Sequence, residues 1–208
     1  MILSDEPYAL KNEAERIKRI DMLQQSHIQP LVSFVESVKK SLSFDDDIPM
    51  FDPCDAGVNA RLLIFLEAPG RKSLDSKFIS RNNPDRTAAK INQLLDVANI
   101  KRKDTIIWNI VPWYIGQDDT RKRIRAAKIA DIEKALSFNK EFLKLLTKLE
   151  VVVLMGKNAQ LAKAEIKSMT NALIFCTAHP SPRVVNSWPE KIEEAQQVFI
   201  KVGSILNK

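Results

Sequence analysis

The sequence predicts an α/β fold: a three-layer sandwich with a four-stranded parallel sheet flanked by helices, plus an N-terminal helical extension. Four short, mostly apolar runs carry the prediction: Leu62–Leu66, Thr105–Asn109, Val151–Met155 and Leu173–Thr177. Each is of strand length, and the stretches between them show helical spacing, the alternation expected of parallel strands joined by crossover helices. The composition agrees, since 45% hydrophobic and 28% charged residues in a chain of 208 suffice for one substantial core.

The elements follow in order. Leu31, Phe34, Val35, Val38 and Leu42 form a stripe at helical spacing, with Pro30 where a helix can begin, so the first 42 residues read as a helical packing arm. Ser43 to Asn59 holds Asp45, Asp46, Asp47, Pro49, Pro53 and Gly57 without periodicity and reads as a loop. The arm and loop make up residues 1–58, and the main domain residues 59–208. Within that domain Asn83 is positioned to cap a helix starting at Pro84 and carrying Ile91, Leu94, Leu95 and Val97. Further helices are expected over about residues 126–148, 157–167 and 188–206.

Several function classes are excluded. The longest apolar runs fall far short of the ~20 residues of a membrane helix, and the acidic start at Asp5 and Glu6 does not resemble a signal peptide. The expectation is a cytoplasmic monomer with no membrane partner. Cys54 and Cys176 alone cannot build a disulfide framework or a four-thiolate cluster. Residues 1–60 carry a net charge of −5 and residues 61–208 a net +11. A basic body suits a polyanionic partner, although a lysine-rich solvated surface would look the same.

Three of the four strands end in unusual sequences: Glu67-Ala68-Pro69-Gly70, Asn109-Ile110-Val111-Pro112-Trp113 and His179-Pro180-Ser181-Pro182. In an open parallel sheet these ends converge where ligands bind. Taken in order, they resemble the motifs of the uracil-DNA glycosylase superfamily: a G-E-A-P-G-like turn, a strand ending in Asn, and a late H-P-S-P loop. The stretches Phe78-Ile79-Ser80-Arg81-Asn82-Asn83-Pro84 and Trp108-Asn109-Ile110-Val111-Pro112-Trp113-Tyr114 extend the resemblance, which runs from about Asn59 to Trp188.

The resemblance implies roles for particular residues. Asn109 would present its carboxamide to the Watson–Crick edge of a flipped base, rather than merely cap the strand end. His179 would stabilise the departing base, with Pro180 and Pro182 bracing it; His27, in the arm, reads as structural. Phe78 is the candidate stacking partner, with core packing as the alternative. Ala68, Pro69 and Gly70 would line the base pocket. Glu67 matches the glutamate of the iron–sulfur branch and would either orient water or brace the loop by accepting backbone amides. Asp118 and Asp119 form a weaker pair. Ser181 would contact phosphate, and Arg183 stands where many relatives carry an apolar wedge. Arg71, Lys72, Lys77, Arg81 and Arg86 would track the DNA backbone, whereas Lys101-Arg102-Lys103 and Arg121-Lys122-Arg123 read as solvated faces.

Two departures stand out: Leu66 replaces the usual first glycine of the turn, and the cysteine ligands of the iron–sulfur branch are absent. No metal or other cofactor is expected. The implied activity is a monofunctional DNA glycosylase that excises uracil or a related deaminated base. A glycosylase-like binder without rapid turnover is the alternative, motivated by Ala68 and the acidic arm. A nucleotide-binding Rossmann domain is disfavoured because no G-x-G-x-x-G follows the first strand.

Overall fold

Branched and aromatic side chains fill the four apolar runs, and such residues fit a sheet covered on both faces. In the computed structural model, which describes residues 4–42, 48–116 and 124–208, all four runs are parallel strands at the expected residues. They are β2 (Leu62–Leu66), β4 (Thr105–Asn109), β5 (Val151–Met155) and β6 (Leu173–Thr177), after β1 (Met50–Phe51) and with β3 (Phe78–Ile79) between β2 and β4. The sheet order is β4-β2-β5-β6, with Leu66 level with Asn109 and Met155 level with Thr177. From β2 the chain moves to β4 on one side and later to β5 on the other. That reversal opens a crevice at the carboxyl ends of the strands.

The helices are α1 (Glu13–Asp21), α2 (Gln29–Leu42), α3 (Arg71–Ser76), α4 (Arg86–Val97), α5 (Ile129–Leu145), α6 (Lys157–Gln160), α7 (Lys163–Met169), α8 (Pro182–Ser187) and α9 (Pro189–Leu206). In one set α5 packs with α2 and α7; in another α4 packs with α9, and together they flank the sheet. An aromatic cluster joins the arm to the sheet: Phe51 stacks on Trp108 at 3.8 Å between centroids, with Phe34 of α2 and Phe142 of α5 beside them. No described helix is long and apolar enough to cross a membrane.

The structure departs from expectation in several places. The loop before β2 contributes Met50–Phe51 to a two-stranded parallel sheet with Phe78–Ile79, a pairing too short to show periodicity. The α4 cap is Asp85, whose extended backbone lets its carboxylate accept from the Ala88 amide at 2.9 Å. Asn83 turns inward, accepting from the Ser76 hydroxyl at 2.6 Å and donating to the Phe78 carbonyl at 2.9 Å. Asp118, Asp119, Arg121, Lys122 and Arg123 lie outside the described residues.

Leu31, Phe34, Val35 and Val38 share one core with the sheet, and a buried polar hub locks the arm in place. Arg19, with no exposed surface, donates to Asp52 at 3.2 Å and to the Asn82 side chain at 3.0 Å. Arg102 approaches the same centre from the far side of the loop, 2.7 Å from Asp52 and 2.9 Å from Asp55. It is therefore no solvated surface charge, although Lys101 and Lys103 on either side are exposed. Burial alone would raise the Asp52 carboxyl, but Arg102 and Arg19 outweigh it and hold Asp52 down to about 2. Asp55 goes the other way, because burial pushes it up to about 6 and Arg102 and Arg81 only partly compensate.

These opposite shifts give opposite pH effects. Asp52 stabilises the fold above the ordinary carboxylate value of 3.8, and this is lost as pH falls toward 2. Asp55 holds its proton more tightly when folded, so its contribution is full below 3.8 and disappears as pH rises through about 6. The urea midpoint of the wild type is expected to carry a falling component between pH 4 and 6 that Asp55→Asn reduces. Arg19→Ala, which strands buried carboxylates, is expected to cost about 3–5 kcal/mol, measured by urea unfolding at pH 7.

Candidate active site

The carboxyl ends of β2, β4 and β6 meet at a cleft of about 700 Å³. It is larger than two other cavities, of about 480 and 470 Å³, neither of which reaches Asn109 or His179. Each wall follows from local sequence. After β2, the Ile110 and Val111 amides donate to the Leu66 and Glu67 carbonyls at 2.8 and 2.9 Å, which ties the first motif to the second. Buried Asn139 of α5 donates to the Ile110 carbonyl at 3.0 Å and holds that segment from behind.

Asn109 is the last residue of β4 and only 1% exposed, yet it lines the cleft. Its Nδ2 has no hydrogen-bond partner among the described residues. No hydrogen bond joins the Asn109 side chain to a described neighbour through either its donor or its acceptor, so the strand-end reading does not account for it. Leaving a buried amide unpaired costs about 1–3 kcal/mol.

His179 reaches the cleft because Gly156 lets its loop approach β5. Gly156 has φ +93°, and a Cβ there would lie 2.9 Å from His179 Cβ. The Gly156 amide and the Gln160 side chain both donate to the Thr177 carbonyl at 2.8 Å, fixing the end of β6 two residues before the histidine. Burial lowers the His179 pKa, partly opposed by the nearby Glu67 carboxylate, so the imidazole is neutral at pH 7. Nothing in the sequence around Gly156 resembled a motif; a lone glycine after a strand was the only signal.

Glu67 lines the cleft, and its Oε1 accepts the Ala127 amide at 2.5 Å. The bracing role is thus present, and it binds the first motif to the segment that leads into α5. Ala68, Pro69 and Gly70 also line the cleft. Ser181 caps α8 by accepting from the Val184 amide at 3.4 Å while remaining on the cleft wall. Arg183 lines the rim, with its guanidinium 5.9 Å from the Trp188 ring centroid. Arg71 and Lys72 line the entrance, and each pairs with Asp75, at 3.0 and 3.6 Å.

Three expectations need correction. Phe78 has no exposed surface and lines the separate cavity beside Ile48 and Met50. Side chains alternate along β3, so Ile79 faces the cleft and Phe78 faces away. Arg81 is also withdrawn, 2% exposed, bonded to the Thr105 hydroxyl and 3.7 Å from Asp55, where no DNA phosphate can reach it. Lys77, exposed and in a left-handed conformation (φ 69°) at the end of α3, borders the Phe78 cavity rather than the cleft.

The cleft at the end of the parallel sheet thus brings together a carboxamide whose donor is unpaired among the described residues, a neutral histidine and a carboxylate. The sequence model of the uracil DNA glycosylase superfamily matches residues 54–201, and the chain belongs to that superfamily. No curated protein matches the chain significantly. Membership implies DNA as the substrate and base excision as the typical chemistry of the group.

The two glycines separate cleft from scaffold. Gly70 has an ordinary φ of −84°, and a Cβ at that position would meet nothing within 4 Å. Gly70→Val is expected to leave the melting temperature almost unchanged while weakening DNA binding by filling the cleft. Gly156→Ala is expected to cost about 1–3 kcal/mol of stability and to displace His179 as well. Thermal melts beside DNA titrations check both.

Proposed function

We propose that the protein is a monofunctional DNA glycosylase that hydrolyses the N-glycosidic bond of uracil, or a related deaminated base, flipped out of DNA. The observation that carries this reading is Asn109, buried in the cleft with its Nδ2 unpaired. A carboxamide can donate through Nδ2 to uracil O4 and accept the N3 proton through Oδ1. Cytosine offers a donor where O4 should be and no proton at N3, so it leaves two buried groups mispaired.

The reaction follows from the neighbours. As the C1′–N1 bond breaks, its electron pair moves into the base and charge accumulates on O2. A neutral His179, kept so by burial, donates an N–H to that oxygen without adding a positive charge that solvent would otherwise stabilise. Water adds hydroxide to C1′, and the remaining proton balances the departing base. With Oε1 engaged by Ala127, the water would be oriented by Oε2 of Glu67, whose charge also balances the cationic sugar. Apolar Ile79 and Ile107 supply the cleft wall against which the base would lie.

A second reading has its own support. Ala68 has no polar group for water, and Glu67 already serves as a brace, which favours a slow or non-catalytic reader of modified bases.

Single-turnover reactions on oligonucleotides bearing uracil, hypoxanthine, xanthine or cytosine, followed by alkali, separate the two. Release of one base is expected, reduced about 10²–10³-fold in His179→Ala and comparably in the roughly isosteric Asn109→Leu. Retained DNA binding without release of any of the four bases would reject the enzymatic reading in favour of the reader.

A further inference from the structure

The wall of the cleft has a second side. Alternate residues of two segments divide between the cleft and a neighbouring groove of about 280 Å³. In the H-P-S-P loop and the α8 helix that continues it, His179, Ser181 and Arg183 face the cleft, while Pro180, Pro182 and Asn186 face the groove. At the start of α4, Asp85, Thr87 and Ala88 face the cleft, while Arg86 and Lys90 face the groove. The far wall comes from the arm, as Tyr8.

We propose that this groove holds the DNA strand beside the flipped nucleotide, with Arg86 and Lys90 on its phosphates and Tyr8 against an adjacent base. The inference rests on the cleft being where the base is read. Three features of the groove support it. Arg86 occupies the first turn of α4, where the helix dipole disfavours a cation, and it makes no ion pair or hydrogen bond with any described residue. Among the described residues Lys90 bonds only to the neutral Gln93 side chain, at 2.6 Å, and no carboxylate lines the groove, so its charge is uncompensated there.

Tyr8 supplies the third feature. It holds a left-handed φ of 65°, unfavourable for a bulky side chain, while its ring is 42% exposed. The strain is maintained by its surroundings. The Asn82 side chain donates to the Asp5 and Glu6 carbonyls at 2.9 and 3.0 Å, and the Leu10 amide donates to the Asn82 carbonyl at 3.1 Å, with Leu10 buried. Asn82 belongs to the loop that feeds α4, so one residue sets both Tyr8 and the cations opposite it. An exposed aromatic beside two unpaired cations suits a nucleic-acid strand, whose phosphates take the charges and whose bases stack on the ring. On this reading the arm, for which the sequence suggested only packing, completes the DNA-binding surface.

The test is fluorescence anisotropy with the full chain and labelled duplexes carrying a central tetrahydrofuran abasic analogue, across a salt series. Arg86→Ala/Lys90→Ala is expected to reduce the slope of log K against log salt by up to about 1.8. Tyr8→Leu is expected to weaken binding about tenfold, and Tyr8→Phe to restore it. Truncating the duplex on one side of the analogue, but not on the other, should make wild type and variants bind equally. Melting temperatures are expected to stay near wild type. Unchanged slope and affinity in the variants, or equal losses on both truncated duplexes, would overturn the proposal. If the wild type binds but releases no base, the groove stands and the enzymatic reading falls. If His179→Ala abolishes release while the groove variants match wild type, the reverse holds; no binding by wild type defeats both.

Discussion

A parallel sheet buried on both faces points every strand's carboxyl end toward the same edge, and the rest of this molecule is arranged around that constraint. Because β2 is central and the chain passes from it to β4 on one side and β5 on the other, the loops on that edge separate and leave a crevice. Glu67, Asn109 and His179 come from positions 42 and 70 residues apart in sequence, yet each follows or ends a strand in that row. No long-range side-chain pairing is needed to bring them together. The backbone ladder does so, with Leu66 level with Asn109 and the end of β6 level with Met155.

The opposite end of the sheet solves a different problem. An arm of two helices must be fixed to a domain whose core is already closed by α5 and α9, and apolar contact through α2 leaves its position along the surface weakly specified. The hub of Arg19, Asp52, Asn82 and Arg102 adds direction, since each guanidinium accepts only a limited set of carboxylate placements. Buried ion pairs give modest net stability compared with apolar packing, so registry is the stronger reason for their presence. Asp55 shows the cost: it lies within ion-pair distance of Arg102 and Arg81, but neither oxygen is aligned for a hydrogen bond.

How much of this was legible in the sequence depended on the range of the responsible interaction. The four strands were readable to the residue because a run of Leu, Ile and Val between helical patterns has few alternatives. That Glu67, Asn109 and His179 would meet in one cleft was readable because each ends or closely follows its strand and sits next to prolines or glycines. Phe78 and Arg81 were misplaced for a shared reason: the segment 78–83 begins with Phe78–Ile79 paired to Met50–Phe51, and that two-residue pairing sets how the following turn directs its side chains. Its pattern is too short to leave a periodic trace. The α4 cap moved from Asn83 to Asp85 for the same reason, because Asn83 is occupied in closing the turn around Ser76. Arg102 looked like a surface charge within a basic triplet, and only the three-dimensional position of Asp52 reveals otherwise.

Unpaired buried polar atoms are the clearest mark of a ligand site, but they must be sorted by where they lie. Trp108 Nε1, Thr177 Oγ1 and Arg81 Nε are also without partners among the described residues, and none of these residues borders the cleft. Trp108 is held by its stacking on Phe51, where the gain from ring packing offsets a missing bond. Asn109 has no such compensation visible: its side chain is polar throughout, and it ends a strand whose ladder is already satisfied to that residue. An amide kept unpaired at a cost comparable to a tenth or more of a typical domain's stability is best balanced when a ligand edge supplies the missing acceptor. The same reasoning separates Asn109 from Glu67. The carboxylate has an internal partner in Ala127 and would remain useful to the fold if the chemistry were lost, whereas the carboxamide Nδ2 has none among the described residues. Among the described residues the fold therefore accounts for Glu67 and leaves the Asn109 donor unused, and for that reason the proposed function rests on base recognition more than on the activation of water.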